Sequence, residues 1–413
     1  MLRKNFVVST VLPFVSIGLV SNLILTLQGI IILKFVPPTI MGIWLALQLI
    51  QNYGIQCHFG ILNGMSRQIP LYVGKEMKDY AERIESSARQ NILILSSIGL
   101  TILFILYVFK IFSSEMNIFI CAMILITIIR LNMEFHIALF KAKQQFKKAS
   151  IIIASEAMLM LLALPLVYFM QLDGLILRSL ICAILLLILS SKLNNWAYRV
   201  ESSYLLTKEI IFIGFPIMIL GLALVVFGSM DRLMILKFLD TETLGIYSIG
   251  LAVASILSLI PAFSGQSFYP KMVELYGSKG IGKKMIMLCI QSSMISFLIT
   301  SLGVILIYFL LPIFVEYFLE SYINGITAMK IILISGLFLA LTAGPNYFII
   351  ASEQKIKQIG LIAFVVILIF LFSLKFSSLG LNGILWSVVV GSFAYMMGLW
   401  LIVLTSYIGQ KNT

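Results

Sequence analysis

Residues 32–44 read ILKFVPPTIMGIW, and residues 235–247 read ILKFLDTETLGIY. At a constant offset of 203 the two stretches agree at six of thirteen positions, with Trp44 opposite Tyr247. The same offset sets Pro13 against Pro216 and Gly74 against Gly277. A run of four identities followed by a Gly-Ile pair exceeds chance, even in a chain this apolar. The chain therefore carries an internal duplication, and internal repeats of this length are a habit of membrane transport folds.

Composition places both copies in a bilayer. The chain has 413 residues, of which 61% are hydrophobic and 11% charged, against about a quarter charged in a soluble domain. Its mean hydropathy is +1.07. A helix needs ~20 apolar residues to cross ~30 Å of hydrocarbon. Candidate spans lie near 6–33, 40–63, 91–109, 118–140, 150–170, 174–192, 209–238, 244–268, 286–311, 329–351, 358–374 and 381–405. Continuous apolar runs, rather than alternation, select helices over a barrel. An even number of spans separates the copies, so the repeat is parallel and its axis lies along the membrane normal. The expectation is an all-α polytopic membrane protein of twelve helices in two six-helix halves, residues 1–205 and 206–413. Two such bundles facing each other suit alternating access. The junction near 193–208 is short and polar, with Asn194, Asn195, Arg199 and Glu201.

Charge sets the orientation. Arg3 and Lys4 precede an apolar run too long for a signal-peptide core, so that run reads as the first helix. Placing the N-terminus in the cytoplasm assigns 21 of the 29 Lys and Arg residues to the tails and alternate loops on that side. The opposite side carries Lys34, Lys110 and Lys375, with Lys237 and Lys330 at helix ends. Both termini are thus expected in the cytoplasm. Topology accounts for the net charge of +12, which argues against a nucleic-acid partner. Cys57, Cys121, Cys182 and Cys289 are scattered without CxxC or Cys/His spacing, so they read as packing residues, with no metal and no disulfide. A GxxxxGK[ST] loop is absent from the sequence, so neither a nucleotide nor any other cofactor is expected.

Charges inside spans are functional candidates by default. Arg130 sits near the middle of the fourth span, with Glu134 one turn away on the same face. Asp231 and Arg232 fall in the outer part of the seventh. Arg130 and Arg232 are candidates to hold an anionic group, because guanidinium offers phosphate a planar fork of donors. Asp231 and Glu134 are candidates to carry a coupling ion. The competing reading is that Arg130 and Glu134 neutralise each other and fix helix packing. Glu156 and Arg178, near span ends, are expected to snorkel. Lys34 and Lys237 are equivalent in the repeat and could receive an anion, or serve as helix-end anchors. Arg67 could meet a headgroup at the cytoplasmic face, or only enforce topology. Asn22, Gln28, Gln48, Gln51 and Asn52 suit sugar hydroxyls or inter-helix hydrogen bonds.

Several stretches carry a family resemblance. Trp44, then Gly60-Ile61-Leu62-Asn63-Gly64-Met65-Ser66-Arg67-Gln68-Ile69-Pro70 and Gly74-Lys75, look like the second helix and first cytoplasmic loop of the polysaccharide-biosynthesis transporters. Gly214-Phe215-Pro216, Asp231-Arg232, Leu244-Gly245-Ile246-Tyr247-Ser248 and Tyr269-Pro270-Lys271 resemble the same family. These are the O-antigen and capsule repeat-unit flippases of the multidrug/oligosaccharidyl-lipid/polysaccharide (MOP) superfamily. Many members place an acidic residue just before the Phe-Gly or Leu-Gly of the second helix; here that position is His58.

The resemblance implies a MATE-like alternating-access fold. It implies a substrate of undecaprenyl-diphosphate-linked oligosaccharide, turned from the cytoplasmic to the outer leaflet of a bacterial inner membrane. It further implies contact with membrane lipid, H+ or Na+ as counter-ion, and a polysaccharide polymerase and chain-length regulator as partners. The nearest rival is a multidrug or cation antiporter on the same fold, which would want carboxylates for organic cations. A major facilitator is disfavoured because residues 64–70 do not read Gly-x-x-x-Asp-Arg. An enzyme is disfavoured because the outer loops are small and the only histidines are His58 and His136.

Overall fold

The computed structural model describes residues 12–109, 114–194 and 203–411, and every regular element among them is helical. Arg3, Lys4, Lys110 and residues 195–202 of the 193–208 junction lie outside the described residues. Lipid supplies no hydrogen-bond partners, so each apolar run satisfies its own backbone by coiling. Nine described stretches are long and apolar enough to cross a membrane. The last, Lys355–Gly409, contains two helices, α15 (Lys355–Phe376) and α16 (Gly380–Lys411), joined by a short 3-10 turn.

Four expected spans are interrupted; 209–238 breaks at Gly228 and Ser229, and 329–351 at Leu341 and Thr342. The span expected over 40–63 is α2 (Pro38–Ile55) followed by α3 (Ile61–Gly74). Phe59 (φ 49) and Gly60 (φ 84) turn the chain between them in the left-handed region. The span expected over 150–170 begins as α6 (Phe146–Leu162) and continues into α7 (Leu164–Leu193), whose path breaks at Gln171 (φ 46, ψ -111).

The chain divides into two compact units, Met1–Val36 with Ala46–Leu222, and Pro37–Leu45 with Ala223–Thr413. The boundaries fall inside α2 and inside α8 (Tyr204–Phe227) rather than in loops.

In the first unit, α1 (Leu12–Leu33) packs on α6, and α4 (Lys78–Phe109) packs on α5 (Ser114–Ala142). Helical periodicity gives α5 two buried faces. Leu131, Phe135, Leu139 and Ala142 meet α3, α4 and Ile210 of α8. Met133, Ile137 and Phe140 meet Ala149, Ile152 and Leu186 of α6 and α7. Lipid is as apolar as these side chains, so van der Waals fit and close backbone approach hold the helices together. Gly60 and Gly64 form a GxxxG step against α8. A methyl on Gly64 would lie 2.1 Å from the Ile210 carbonyl, and one on Gly214 would lie 1.9 Å from that of Gly60.

The second unit contains α9 (Met230–Phe238), α10 (Thr241–Ile246), α11 (Ser248–Lys279), α12 (Lys283–Phe318), α13 (Ile326–Ala340), α14 (Ala343–Ala351), α15 and α16. The start of α2 also belongs to it. There the duplicated motif meets itself. A methyl on Gly42 would lie 1.6 Å from the Thr241 carbonyl, and one on Gly245 would lie 1.7 Å from that of Pro38. Those four positions pair off at the offset of 203, so the contact is reciprocal about the repeat axis. Asp240 caps α10 by accepting the Thr243 N–H at 2.7 Å.

Candidate functional site

Arg130 finds its carboxylate on another helix. Its Nη2 donates to Glu156 Oε1 at 2.5 Å, from α5 to α6. The side chains are 15% and 17% exposed. The expected Arg130–Glu134 pair is therefore not the one formed. Glu134 lies along the same helix, whereas the long guanidinium stem reaches across to the neighbour. Glu156 does not snorkel, because it is engaged with Arg130. Arg178 on α7 is also buried, and its Nη1 donates only a long 3.5 Å bond to the Met160 carbonyl. Its Nε has no hydrogen-bond partner among the described residues. The sequence placed it near a span end, but the chain turns at Gln171 before it, and the following turns of α7 run into the packed interior.

Asp231 and Arg232 sit at the start of α9. Asp231 Oδ2 accepts from the buried Tyr247 hydroxyl at 2.7 Å, and Oδ1 accepts the Arg232 N–H at 2.7 Å. Arg232 Nε lies 3.6 Å from that same oxygen, while its Nη2 donates to the Gly228 carbonyl at 2.9 Å. Both Asp231 oxygens thus have donors. In the first repeat, the positions matching Asp231 and Arg232 are Gln28 and Gly29, so this charge pair is specific to the second copy. Gln28 is buried, and its Oε1 has no partner among the described residues.

The remaining candidate cations are peripheral. Lys34 is exposed just beyond α1. Lys237 is exposed with its ammonium 4.9 Å from the Phe370 ring centre, a cation–π contact. Arg67 is exposed on α3. Gln48, Gln51 and Asn52 are half-buried on α2.

One group was not singled out from the sequence. Glu209 on α8 accepts from Gln68 Nε2 at 2.7 Å, Tyr72 at 3.1 Å and Tyr80 at 2.8 Å. The donors come from α3 and α4. Burial and the adjacent carboxylate raise the Tyr72 phenol above its ordinary value, so it stays a donor. Asn91 and Ser87 of α4 bond Thr207 beside it. Glu209 sits within an ordinary polar-to-apolar helix start. The only signal was its position one turn before Ile213 and Gly214 on a helix that proved to be docked by glycines.

The comparisons with known proteins agree with this architecture. The family model described as "Polysaccharide biosynthesis protein" matches residues 55–276, more than half of the chain. A structure titled as the inward-facing conformation of a multidrug resistance MATE family transporter of the MOP superfamily aligns with TM-score 0.80 and 15% identity. That alignment covers 98% of this chain and 99% of the other. The outward-facing conformation of such a transporter aligns with TM-score 0.69 and 14% identity, over 97% and 96%. A MATE structure in the straight conformation gives 0.68 and 14%, over 97% and 94%. Among curated proteins, none matches. At these identities the structural likeness speaks to fold, while the family match speaks to membership. This multi-pass membrane chain belongs to the polysaccharide biosynthesis protein family and has the fold of the MATE transporters of the MOP superfamily.

Proposed function

We propose that this protein is a flippase for undecaprenyl-diphosphate-linked oligosaccharide repeat units. It turns their headgroups from the cytoplasmic to the outer leaflet of a bacterial inner membrane, for O-antigen, capsule or another surface polysaccharide. The observation that carries the proposal is the family match over residues 55–276 on a transporter fold. The physical need is clear. Each unpaired polar group costs several kcal/mol in hydrocarbon, so a sugar-diphosphate crosses only where protein groups replace its water.

Arg232 is a candidate to hold the diphosphate: like that of Arg130, its Nε has no hydrogen-bond partner among the described residues. Arg130, Lys34, Lys237 and Arg67 are the further cations offered to the headgroup. Glu134 and Asp231 are the candidates for a coupling H+ or Na+. With both termini in the cytoplasm, an inside-negative potential favours outward movement of a diphosphate by roughly 2.3 kcal/mol per charge per 100 mV.

Deleting the gene tests the reading. The expected result is loss of surface polysaccharide, with lipid-linked repeat units accumulating on the cytoplasmic leaflet. Normal surface polysaccharide in a strain without a second flippase overturns it. Sensitivity to cationic drugs with intact polysaccharide would point instead to an antiporter.

A further inference from the structure

The break in the second span is held by a side chain. Residues 58–61 form a tight turn closed by the Ile61 N–H on the His58 carbonyl at 2.9 Å. Its two central residues, Phe59 (φ 49) and Gly60 (φ 84), are both left-handed, as in a type I′ turn. Glycine tolerates this conformation, but phenylalanine does not adopt it readily, so the turn needs an external hold. His58 supplies it. Its Nδ1 accepts the Gly60 N–H at 3.0 Å, in a buried setting. This is the i to i+2 bond that an Asp or Asn side chain makes in an Asx-turn. An accepting Nδ1 carries no proton, so the neutral ring bears its hydrogen on Nε2.

The consequence reaches α8. A Cβ on Gly60 would lie 2.4 Å from the Phe215 nitrogen. Four residues further on, the chain enters the Gly64 contact with Ile210. A turn that relaxed toward an ordinary helix would rotate both glycines out of register with α8. We propose that His58 is a positioning residue. By accepting the Gly60 N–H it locks the turn that breaks the second span and keeps α3 against α8. It acts as a cap rather than as a proton carrier, and a carboxylate or carboxamide one methylene from the backbone can take its place.

The test does not depend on the identity of the substrate. The four cysteines are replaced by serine or alanine, and Gln68→Cys with Glu209→Cys reports the α3–α8 crossing through a short thiol cross-linker. Removing those two side chains also deletes the adjacent polar contact, so the crossing then depends more on the turn. His58→Ala should slow cross-linking roughly fivefold, the shift that losing one ordinary hydrogen bond produces. His58→Asn should restore it, because its Oδ1 falls where Nδ1 was. His58→Gln should not, because its acceptor sits one bond too far out. Asn as slow as Ala, Gln as fast as Asn, or Ala indistinguishable from His would each overturn the proposal. If the Ala variant fails to insert, the Asn and Gln variants decide between themselves.

Discussion

Removing the Glu156 carboxylate should destabilise the first unit, and removing Glu134 should not. Arg130 and Glu156 share one charge-assisted hydrogen bond between α5 and α6, and about five-sixths of each side chain is sequestered. Glu156→Ala leaves the guanidinium with its Nε and Nη2 lacking acceptors. Breaking one partner of a buried pair costs about 3–5 kcal/mol. The residual exposure and the nearby Glu134 place the cost at the lower end, about 3 kcal/mol. Removing both charges, as Arg130→Met with Glu156→Leu, should recover most of that loss, because no lone charge is left behind. Equilibrium unfolding of the detergent-solubilised protein, followed by tryptophan fluorescence, compares Glu156→Ala with Glu134→Ala, and the single variants Arg130→Met and Glu156→Leu beside the double variant give the coupling energy. A coupling below about 1 kcal/mol, or a Glu134→Ala loss equal to that of Glu156→Ala, would refute the assignment of the pair. Surface polysaccharide in the double variant separates the roles: if it persists, Arg130 belongs to the scaffold and Arg232 remains the leading headgroup candidate.

Other outcomes follow from the same geometry. Gly42→Ala and Gly245→Ala should each destabilise by about 1–3 kcal/mol, and the double variant by much less than the sum, because the first methyl already parts the shared crossing; additive losses in the same unfolding assay would argue against the reciprocal contact. Tyr80→Phe should cost about 1.5–3 kcal/mol, because it removes a hydroxyl from the Glu209 carboxylate, and the loss should vanish in a Glu209→Ala background. Tyr247→Phe should cost a similar amount by stripping Asp231 Oδ2 of its donor, with Asp231→Asn relieving part of it. Reporter fusions at residues 80, 145, 278 and 356 should read cytoplasm and those near 172, 241, 320 and 377 the outside; two adjacent loops on one side would break the expected topology.

The sequence by itself determined the solvent and the class of fold. Apolar runs of this length admit only helices in a bilayer, and that argument needs no tertiary information. The repeat at offset 203 was equally legible, because identity at fixed spacing survives in the chain whatever its packing. Gly60, Gly64 and Gly214 stood out as motif residues, but their purpose did not, since which helix lies 1.9–2.4 Å from a missing Cβ is a property of the packed pair.

The partner of Arg130 was decided by tertiary structure alone. Along one helix, Arg130 and Glu134 looked like a pair, because spacing of four is the only proximity a sequence displays. The fold offered Glu156 from a neighbouring helix, at a distance no local rule contains. Glu209 was invisible for the same reason: its three donors are 129 to 141 residues away in the chain. Secondary structure in a membrane follows from each segment's own backbone, so the sequence reports it; partnerships between segments follow from which faces meet, and only the folded chain fixes those.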